Sequence, residues 1–211
     1  KVVVLINGVR LSDPQTGHHL MNLPVTKENI ERIEILLGGG SYIFGANAFA
    51  GAINIITKKA QNNSTQLGLD YGQYNTFQST FQQSLRGNKH QSAFSFAHNR
   101  SDGFKTNTDF QHNNLSLNSH WELGSEQVQF QGGYTDQQFG AQNFYSDNFP
   151  EQYELTRTLF GSLNWQSQGK LRWDKQIYWR RNWDEFQLFR EEGEDFYNYQ
   201  NGLFIRGNDT A

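Results

Sequence analysis

Three groups of residues in this 211-residue chain have types and spacing suited to chemistry. Asp13-Pro14-Gln15-Thr16-Gly17-His18-His19 combines turn formers with mixed donors and acceptors, a composition that can orient a polar ligand. The same residues also make an ordinary turn-rich loop stabilised by Asp13 and Pro14. Adjacent His18 and His19 lack the usual metal-ligand spacing, because neighbouring side chains diverge in extended backbone. Glu191, Glu192, Glu194 and Asp195 offer carboxylate oxygens for Ca²⁺, against the plainer reading of a solvated acidic loop. Phe139, Asn143, Phe144 and Tyr145 can stack on or hydrogen-bond a ligand, or serve as girdle and loop packing. Arg32 and Glu34 fall on one face of a strand pattern and suit polar contacts with a neighbouring element or within their own.

Enzyme signatures are missing. Gly38-Gly39-Gly40-Ser41 has neither the Gly-Lys-Ser/Thr ending of a phosphate loop nor GxGxxG spacing, so it reads as a tight turn that can approach a neighbouring wall. No GxSxG is present, and nothing fixes a carboxylate pair at a set separation. The chain is expected not to be an enzyme and to need no cofactor. It has no cysteine, which removes disulfides and thiolate sites. A net charge of -3 leaves no basic footprint for nucleic acid.

The elements that must carry these residues follow from composition and period. Asn, Gln, Ser and Thr make up 68 of 211 residues, while aromatics are 15%. That excludes disorder, which is poor in aromatics, and a Leu/Ala/Glu/Lys-rich helical bundle. No apolar run reaches the ~18 residues of a transmembrane helix. A mean hydropathy of -0.76 is still compatible with a membrane barrel, where only alternate residues meet lipid. The chain opens on the apolar run Lys1 to Ile6 with no charged n-region and h-region, so it reads as cytosolic or as lacking its true N-terminus.

Composition shifts near residues 60–64. Before that point, Val2 to Ile6 and Ala52 to Thr57 read as buried strands, Asn7-Gly8 as a hairpin turn, Thr26 as the cap of a short helix, and Ile33, Ile35 and Leu37 as one face of a strand. After it, apolar residues alternate with Gln, Ser, Asn and Asp. The sets begin Leu67, Leu69 and Tyr71, then Phe77 and Phe81, Phe94 and Phe96, Leu115 and Leu117, Val128 and Phe130, Leu159 and Leu163, Trp173 and Ile177, and Leu203 and Ile205. That predicts about eight strands. Short connectors at Gly87-Asn88, Gly124-Ser125 and Gln168-Gly169 alternate with long polar ones near 101–112, 140–153 and 185–199. Loops sorted by length mark a membrane barrel rather than a soluble sandwich. Trp121, Tyr134, Trp165 and Trp173 lie near strand ends, where aromatic girdles belong.

Four blocks then become specific: Val4-Leu5-Ile6-Asn7-Gly8-Val9-Arg10, Ile30-Glu31-Arg32-Ile33-Glu34-Ile35-Leu36, Gly38-Gly39-Gly40-Ser41-Tyr42-Ile43-Phe44-Gly45-Ala46-Asn47-Ala48, and Gly51-Ala52-Ile53-Asn54-Ile55-Ile56-Thr57-Lys58. Their order and spacing resemble the C-terminal half of a TonB-dependent receptor plug. Ser101-Asp102-Gly103-Phe104, Asn107-Thr108-Asp109-Phe110, Phe139 to Tyr145 and Gln152-Tyr153-Glu154 resemble the first barrel strands of the cobalamin-receptor-like branch. The match departs where Leu37, Gly38 and Gly39 stand in place of a basic residue and Gly-Pro. Leu37 cannot join a charge cluster locking plug to wall.

The resemblance implies a mainly β fold: the C-terminal half of a small α/β plug at residues 1–59, then the N-terminal part of an antiparallel transmembrane barrel at 60–211. Twenty-two strands of about ten residues need at least ~220 residues, and about 150 follow the plug here, so the chain reads as a fragment. It further implies an outer-membrane location surrounded by lipid, and a TonB–ExbB–ExbD partner acting through an N-terminal region outside this sequence. The ligand it implies is a small molecule or metal chelate: cobalamin, a ferric siderophore, haem or an oligosaccharide. It makes Gln15, Thr16, Gly17, His18 and His19 an apical ligand-facing loop, Arg32 and Glu34 plug–barrel contacts, and the acidic loop a Ca²⁺ candidate of the kind some cobalamin receptors carry. The rival from another class is a small outer-membrane or soluble β-sheet binding module or adhesin without transport.

Overall fold

The computed structural model describes residues 2–11, 22–44, 48–145, 149–169, 171–190, 196–200 and 203–207. The loop at Gln15 to His19 and the acidic run at Glu191, Glu192, Glu194 and Asp195 lie outside the described residues.

The first sixty residues build a four-stranded sheet from β1 (Val2–Ile6), β2 (Val9–Arg10), β3 (Ile30–Leu37) and β4 (Gly51–Thr57), in the order β2-β1-β4-β3. Asn7 and Gly8 both take positive φ, 48° and 80°, as a two-residue hairpin turn requires. They fold β2 back on β1. β1 and β4 run parallel, so the chain between them must cross over, which it does through a 3-10 turn at Lys27–Asn29, β3 and a single-turn helix α1 (Ser41–Phe44). Both faces of β1 are buried, which is why its sequence is a continuous apolar run. Val3 and Leu5 pack with Ala48 and Ala52 on one side; Val4 and Ile6 pack with Val9, Leu11, Val25 and Ile55 on the other.

Thr26 precedes the 3-10 turn as expected, but its side chain makes no cap hydrogen bond. The hydroxyl donates instead to Ser95, 2.7 Å away on a distant strand. The triglycine also differs from expectation: a Cβ at Gly38 or Gly39 would meet nothing within 4 Å. The close approach is at Gly51 (φ 146°), where a Cβ would lie 2.4 Å from the Leu36 carbonyl oxygen.

The remaining chain forms one seven-stranded antiparallel meander: β5 (Ser64–Tyr71), β6 (Phe77–Arg86), β7 (His90–Ser101), β8 (Phe110–Leu123), β9 (Glu126–Gly140), β10 (Tyr153–Ser167) and β11 (Trp173–Gln187). The expected eighth strand at Leu203 and Ile205 is instead one arm of a separate hairpin, β12 (Phe196–Gln200) with β13 (Leu203–Gly207). Connections at 87–89, 124–125 and 168–172 lie at one end of the sheet; those at 72–76, 102–109 and 141–152 lie at the other.

Cross-strand register divides the side chains into two faces. The outer face carries rows such as Phe81–Phe96–Leu115–Tyr134–Leu159. Leu67 is 79% exposed there, and Phe94, Leu117 and Phe130 share that face rather than a dry interlayer. The inner face carries Ser95, Asn114, Ser116, Asn118, Gln131, Thr135, Thr156, Thr158 and Ser162, all buried beneath the plug sheet. Polar residues are hidden and apolar ones exposed, the inverse of a water-soluble sheet and the pattern of a wall between lipid and a hydrated bore. Trp121, Trp165 and Trp173 gather at the short-turn end of the outer face, with Trp165 and Trp173 4.8 Å apart edge to face. Tyr134 lies nearer the other end.

This inversion gives an expected outcome. In the full-length protein folded into vesicles, Leu117→Arg, four residues above Trp121, is expected to cost about 2–4 kcal/mol. Gln82→Arg on the luminal face is expected to change stability by less than about 1 kcal/mol. Urea-dependent folding measures both, and equal losses would refute the assignment of faces.

Candidate functional site: a polar plug–wall seam beneath an aromatic mouth

The seam is built by short polar side chains meeting across long sequence separations. The Asn7 amide donates to Gln131 Oε1 on β9 at 2.9 Å and to Thr57 Oγ1 at 2.8 Å, while its oxygen accepts the Thr57 N–H at 3.0 Å. Besides the Thr26–Ser95 bond, Asn29 Nδ2 donates to Ser116 on β8 at 2.8 Å. Asn114 Nδ2 reaches the carbonyl oxygens of Leu23 and Val25, at 2.9 and 3.2 Å. Between those two carbonyls, Pro24 presses on Gly133: a Cβ there would sit 2.1 Å from the Pro24 oxygen, so the wall needs a notch at this point. Among the described residues, Phe160 is the wall residue that joins the plug core, packed with Val4, Ile6 and Ile55.

Beside the seam lies a cavity of about 540 Å³ between plug and wall, lined by Glu31, Arg32 and Lys59 on one side and His120 and Gln129 on the other. Arg32 pairs within the plug, at 3.0 Å to Glu31 and 2.8 Å to Glu34, and the Glu34 hydrogen bond raises its pKa above the ordinary guanidinium value. Asn54 donates to the other Glu34 oxygen at 3.1 Å. Arg32 thus faces the wall across the cavity, and the direct seam bonds come from Asn7, Thr26, Asn29 and Asn114. Among the described residues no group of three His, Asp or Glu is placed to hold a metal.

At the long-loop end, four rings form a chain over the lumen. Phe139 and Phe144 lie 6.1 Å apart, Phe144 and Tyr145 4.7 Å, and Tyr145 and Phe186 5.5 Å, all edge to face. Phe139 shares the inner face with Thr135 and Gln137, which removes the girdle reading for it. Phe144 is 68% exposed, and Asn143 holds the loop turn at φ 57°. The Tyr145 hydroxyl donates to buried Glu154 through a short contact, and burial together with that carboxylate pushes the phenol pKa up.

The loops beneath are knotted by two residues. Asn107, at φ 56°, donates to the carbonyls of Pro150 and Gln152 at 2.9 and 2.8 Å. Arg190 grips Asp109 with both ends of its fork, Nη2 to Oδ2 at 2.7 Å, and stands 4.7 Å over the Tyr153 ring. These hydrogen bonds hold the Asp109 carboxyl below its ordinary value. Sequence patterning missed Phe186, Glu154, Asp109, Arg190 and every wall partner of the seam. The available signals were Gly132-Gly133 in mid-strand and one Phe at an otherwise polar luminal position.

Two outcomes follow. Gly133→Val is expected to unseat the plug, read as faster protease cleavage within residues 22–29; Gly161→Val, where a Cβ meets nothing within 4 Å, leaves cleavage unchanged. For the knot, a depressed carboxylate pKa contributes stability that is present above the unfolded value near 3.9 and lost as pH falls through the lower folded value. Protease protection of loops 102–109 and 141–152 is therefore expected to persist at pH 5 and fail below about pH 4, and Asp109→Asn is expected to weaken it at pH 7.

Comparison with known proteins places this geometry. The family model for the TonB-dependent Receptor Plug Domain matches residues 1–52. The Vitamin B12 transporter BtuB of Vibrio vulnificus (strain CMCP6) is 35% identical over 63 residues, 30% of this chain and 10% of that protein. The Ferric aerobactin receptor of Klebsiella pneumoniae is 40% identical over 60 residues, 28% of this chain and 8% of that protein. Among solved structures, the copper transporter OprC superposes with a TM-score of 0.71 at 13% identity, over 90% of this chain and 31% of its own. The siderophore receptor PiuA from Acinetobacter baumannii gives 0.68 at 13%, over 87% and 29%. The chain thus spans less than a third of the length of these relatives. Residues 1–52 thus match the TonB-dependent receptor plug domain, and the chain as a whole shares the fold of these solved receptors and transporters over about a third of their length.

Proposed function

We propose that residues 1–59 are the C-terminal part of the plug and residues 60–211 the N-terminal part of the wall of a receptor for energy-coupled uptake of a scarce nutrient. The division falls in the link between Thr57 and Ser64. The observation that carries this reading is the plug sheet seated on a polar inner wall directly below an exposed aromatic mouth. A filled bore stops leakage, so uptake against a gradient requires a partner that remodels the plug. The TonB–ExbB–ExbD complex supplies that work from the periplasmic side.

The ligand class is a metal chelate or corrinoid, large enough to touch mouth and plug apex together. Phe144, Tyr145 and Asn143 contact it from above; Gln15, Thr16, Gly17, His18 and His19 contact it from the plug. Exposed edge-to-face rings suit a broad, partly apolar ligand face, and polar groups fix its orientation. Relatives named for vitamin B12 and ferric aerobactin support this class. Arg32, held by Glu34, lines the plug side of the 540 Å³ cavity and becomes a plug–wall contact when the plug shifts toward the wall. The acidic run at Glu191, Glu192, Glu194 and Asp195 is a Ca²⁺ candidate.

The test is growth of cells carrying the full-length receptor on cyanocobalamin or ferric aerobactin as sole vitamin B12 or iron source. Growth on one of them is expected, and is expected to stop when TonB is deleted. Phe144→Ala with Tyr145→Ala is expected to weaken binding of that nutrient at least tenfold, about 1.4 kcal/mol, in a direct titration. TonB-independent growth would overturn the reading.

A further inference from the structure

The side-chain amide of asparagine is attacked most readily by the following backbone nitrogen when that residue is glycine, which has no Cβ to hinder the approach. One bond of the seam rests on such a pair. Asn7 and Gly8 form the turn between β1 and β2, at φ 48° and 80°. Gly8 is exposed, and a Cβ there would meet nothing within 4 Å. Both residues line the 540 Å³ cavity, whose lining is mostly polar and which is roomy enough for water. Neither crowding nor dryness protects the pair.

Hydrogen bonds do. Asn7 Oδ1 accepts the Thr57 N–H at 3.0 Å, and Nδ2 donates to Thr57 Oγ1 at 2.8 Å and to Gln131 Oε1 on the wall at 2.9 Å. The attacking nitrogen is held elsewhere. The Gly8 N–H donates to Asn54 Oδ1 at 2.9 Å, and Asn54 is itself fixed by donating to Glu34 at 3.1 Å. Asn54 and Thr57 stand three residues apart on β4, so their side chains leave opposite faces of the sheet. The carbon to be attacked and the nitrogen that would attack it are therefore drawn to opposite sides of one strand. The wall secures the Thr57 side, through Gln131 and through Phe160 packed on Ile55.

We propose that Asn7 is a deamidation site that the seated plug keeps latent, so that displacement of the plug is recorded as a covalent change at residue 7. The step is intramolecular and needs only water. The Gly8 nitrogen bonds to Asn7 Cγ, the Cγ–Nδ2 bond breaks, and Nδ2 leaves as ammonia with the Gly8 proton. Water then opens the cyclic imide. Cleavage at Cγ leaves aspartate; cleavage at the backbone carbonyl carbon leaves isoaspartate, with the chain routed through Cβ and Cγ. Aspartate still accepts the Thr57 N–H. Isoaspartate adds a methylene to the main chain inside a two-residue hairpin, so β2 loses its register with β1 and the bond to Gln131 is not remade. The inference rests on the seam geometry and is independent of which nutrient the receptor carries.

The test incubates the full-length protein in detergent, in mildly alkaline heavy-oxygen water. Conversion is followed by mass spectrometry of the peptide carrying residue 7 and by labelling with an isoaspartate methyltransferase. In urea, Asn7 is expected to convert at a rate close to that of Asn201, which begins the chain's other Asn-Gly pair. In the seated protein Asn7 is expected to convert at least tenfold more slowly. Gly133→Val, which unseats the plug, is expected to restore at least tenfold of that rate, and Gly161→Val none of it. Gln131→Leu deletes only the wall's acceptor and is expected to speed conversion at least threefold, so the proposal stays testable if Gly133→Val folds poorly. Conversion as fast in the seated protein as in urea, or no acceleration in Gln131→Leu, would each overturn it, as would a plug cleaved rapidly in Gly133→Val with residue 7 unchanged.

Discussion

The structure depends on one constraint: a strand crossing lipid must satisfy its backbone with neighbouring strands and show apolar side chains to one side only. Period two then sends every alternate residue inward, and beneath the plug most of those residues are short and polar. The plug cannot be glued to such a surface by hydrophobic burial. Its contacts are instead the hydrogen bonds of Asn7, Thr26, Asn29 and Asn114. Each contributes about 0.5–1.5 kcal/mol net, because water replaces the partner when the two separate. Phe160 adds about 1.5–3 kcal/mol by burial in the plug core. Few bonds of low individual cost, aligned by a Gly133 notch that admits only one seating of Pro24, make an interface that is specific in register yet separable.

The plug sheet itself is unevenly covered. Ile55 on β4 is buried against the wall, but Ile33, Ile35 and Leu37 share its face of the sheet and are 54%, 65% and 86% exposed. The apolar face thus runs past the ground that the described wall strands cover. β5 and β11 each have a single strand neighbour among the described residues. Sheet edges cannot stand open in lipid, so the same seven strands that fit a large receptor do not make a self-sufficient small barrel. That weighs against the binding-module alternative more directly than any loop does.

What was legible in the sequence is what local period encodes. Alternation at Leu67, Phe81, Phe94, Leu117 and Phe130 gave the lipid face, Asn7-Gly8 the hairpin, and the four blocks around Arg32 and Gly51 the plug. The final strand begins at Leu203 as its alternation predicts, but alternation does not say which sheet it joins, and it pairs in a hairpin outside the wall sheet. The seam was illegible for a different reason. Asn7 and Gln131 are 124 residues apart, and their meeting depends on the register of every strand between them. A Thr in a capping position carries no mark that its hydroxyl is committed to Ser95 instead of the local backbone. Likewise Arg190 and Asp109 each read as ordinary loop charges until strand lengths bring three loops together.

The two ends of the lumen are therefore held by different physics. At the mouth, a charged fork on Asp109, an Asn107 bridging two carbonyls and a ladder of edge-to-face rings fix the loops. Charge-assisted bidentate bonds are roughly twice as strong as neutral ones. The seam bonds of Asn7, Thr26, Asn29 and Asn114 are all neutral. A pull on the plug meets the weaker set first, so the aromatic ladder holds its arrangement while the plug yields. The order of strength matters more than either magnitude. Had the charges been at the seam and the neutral amides at the mouth, the same work would scatter the ring ladder before freeing the plug.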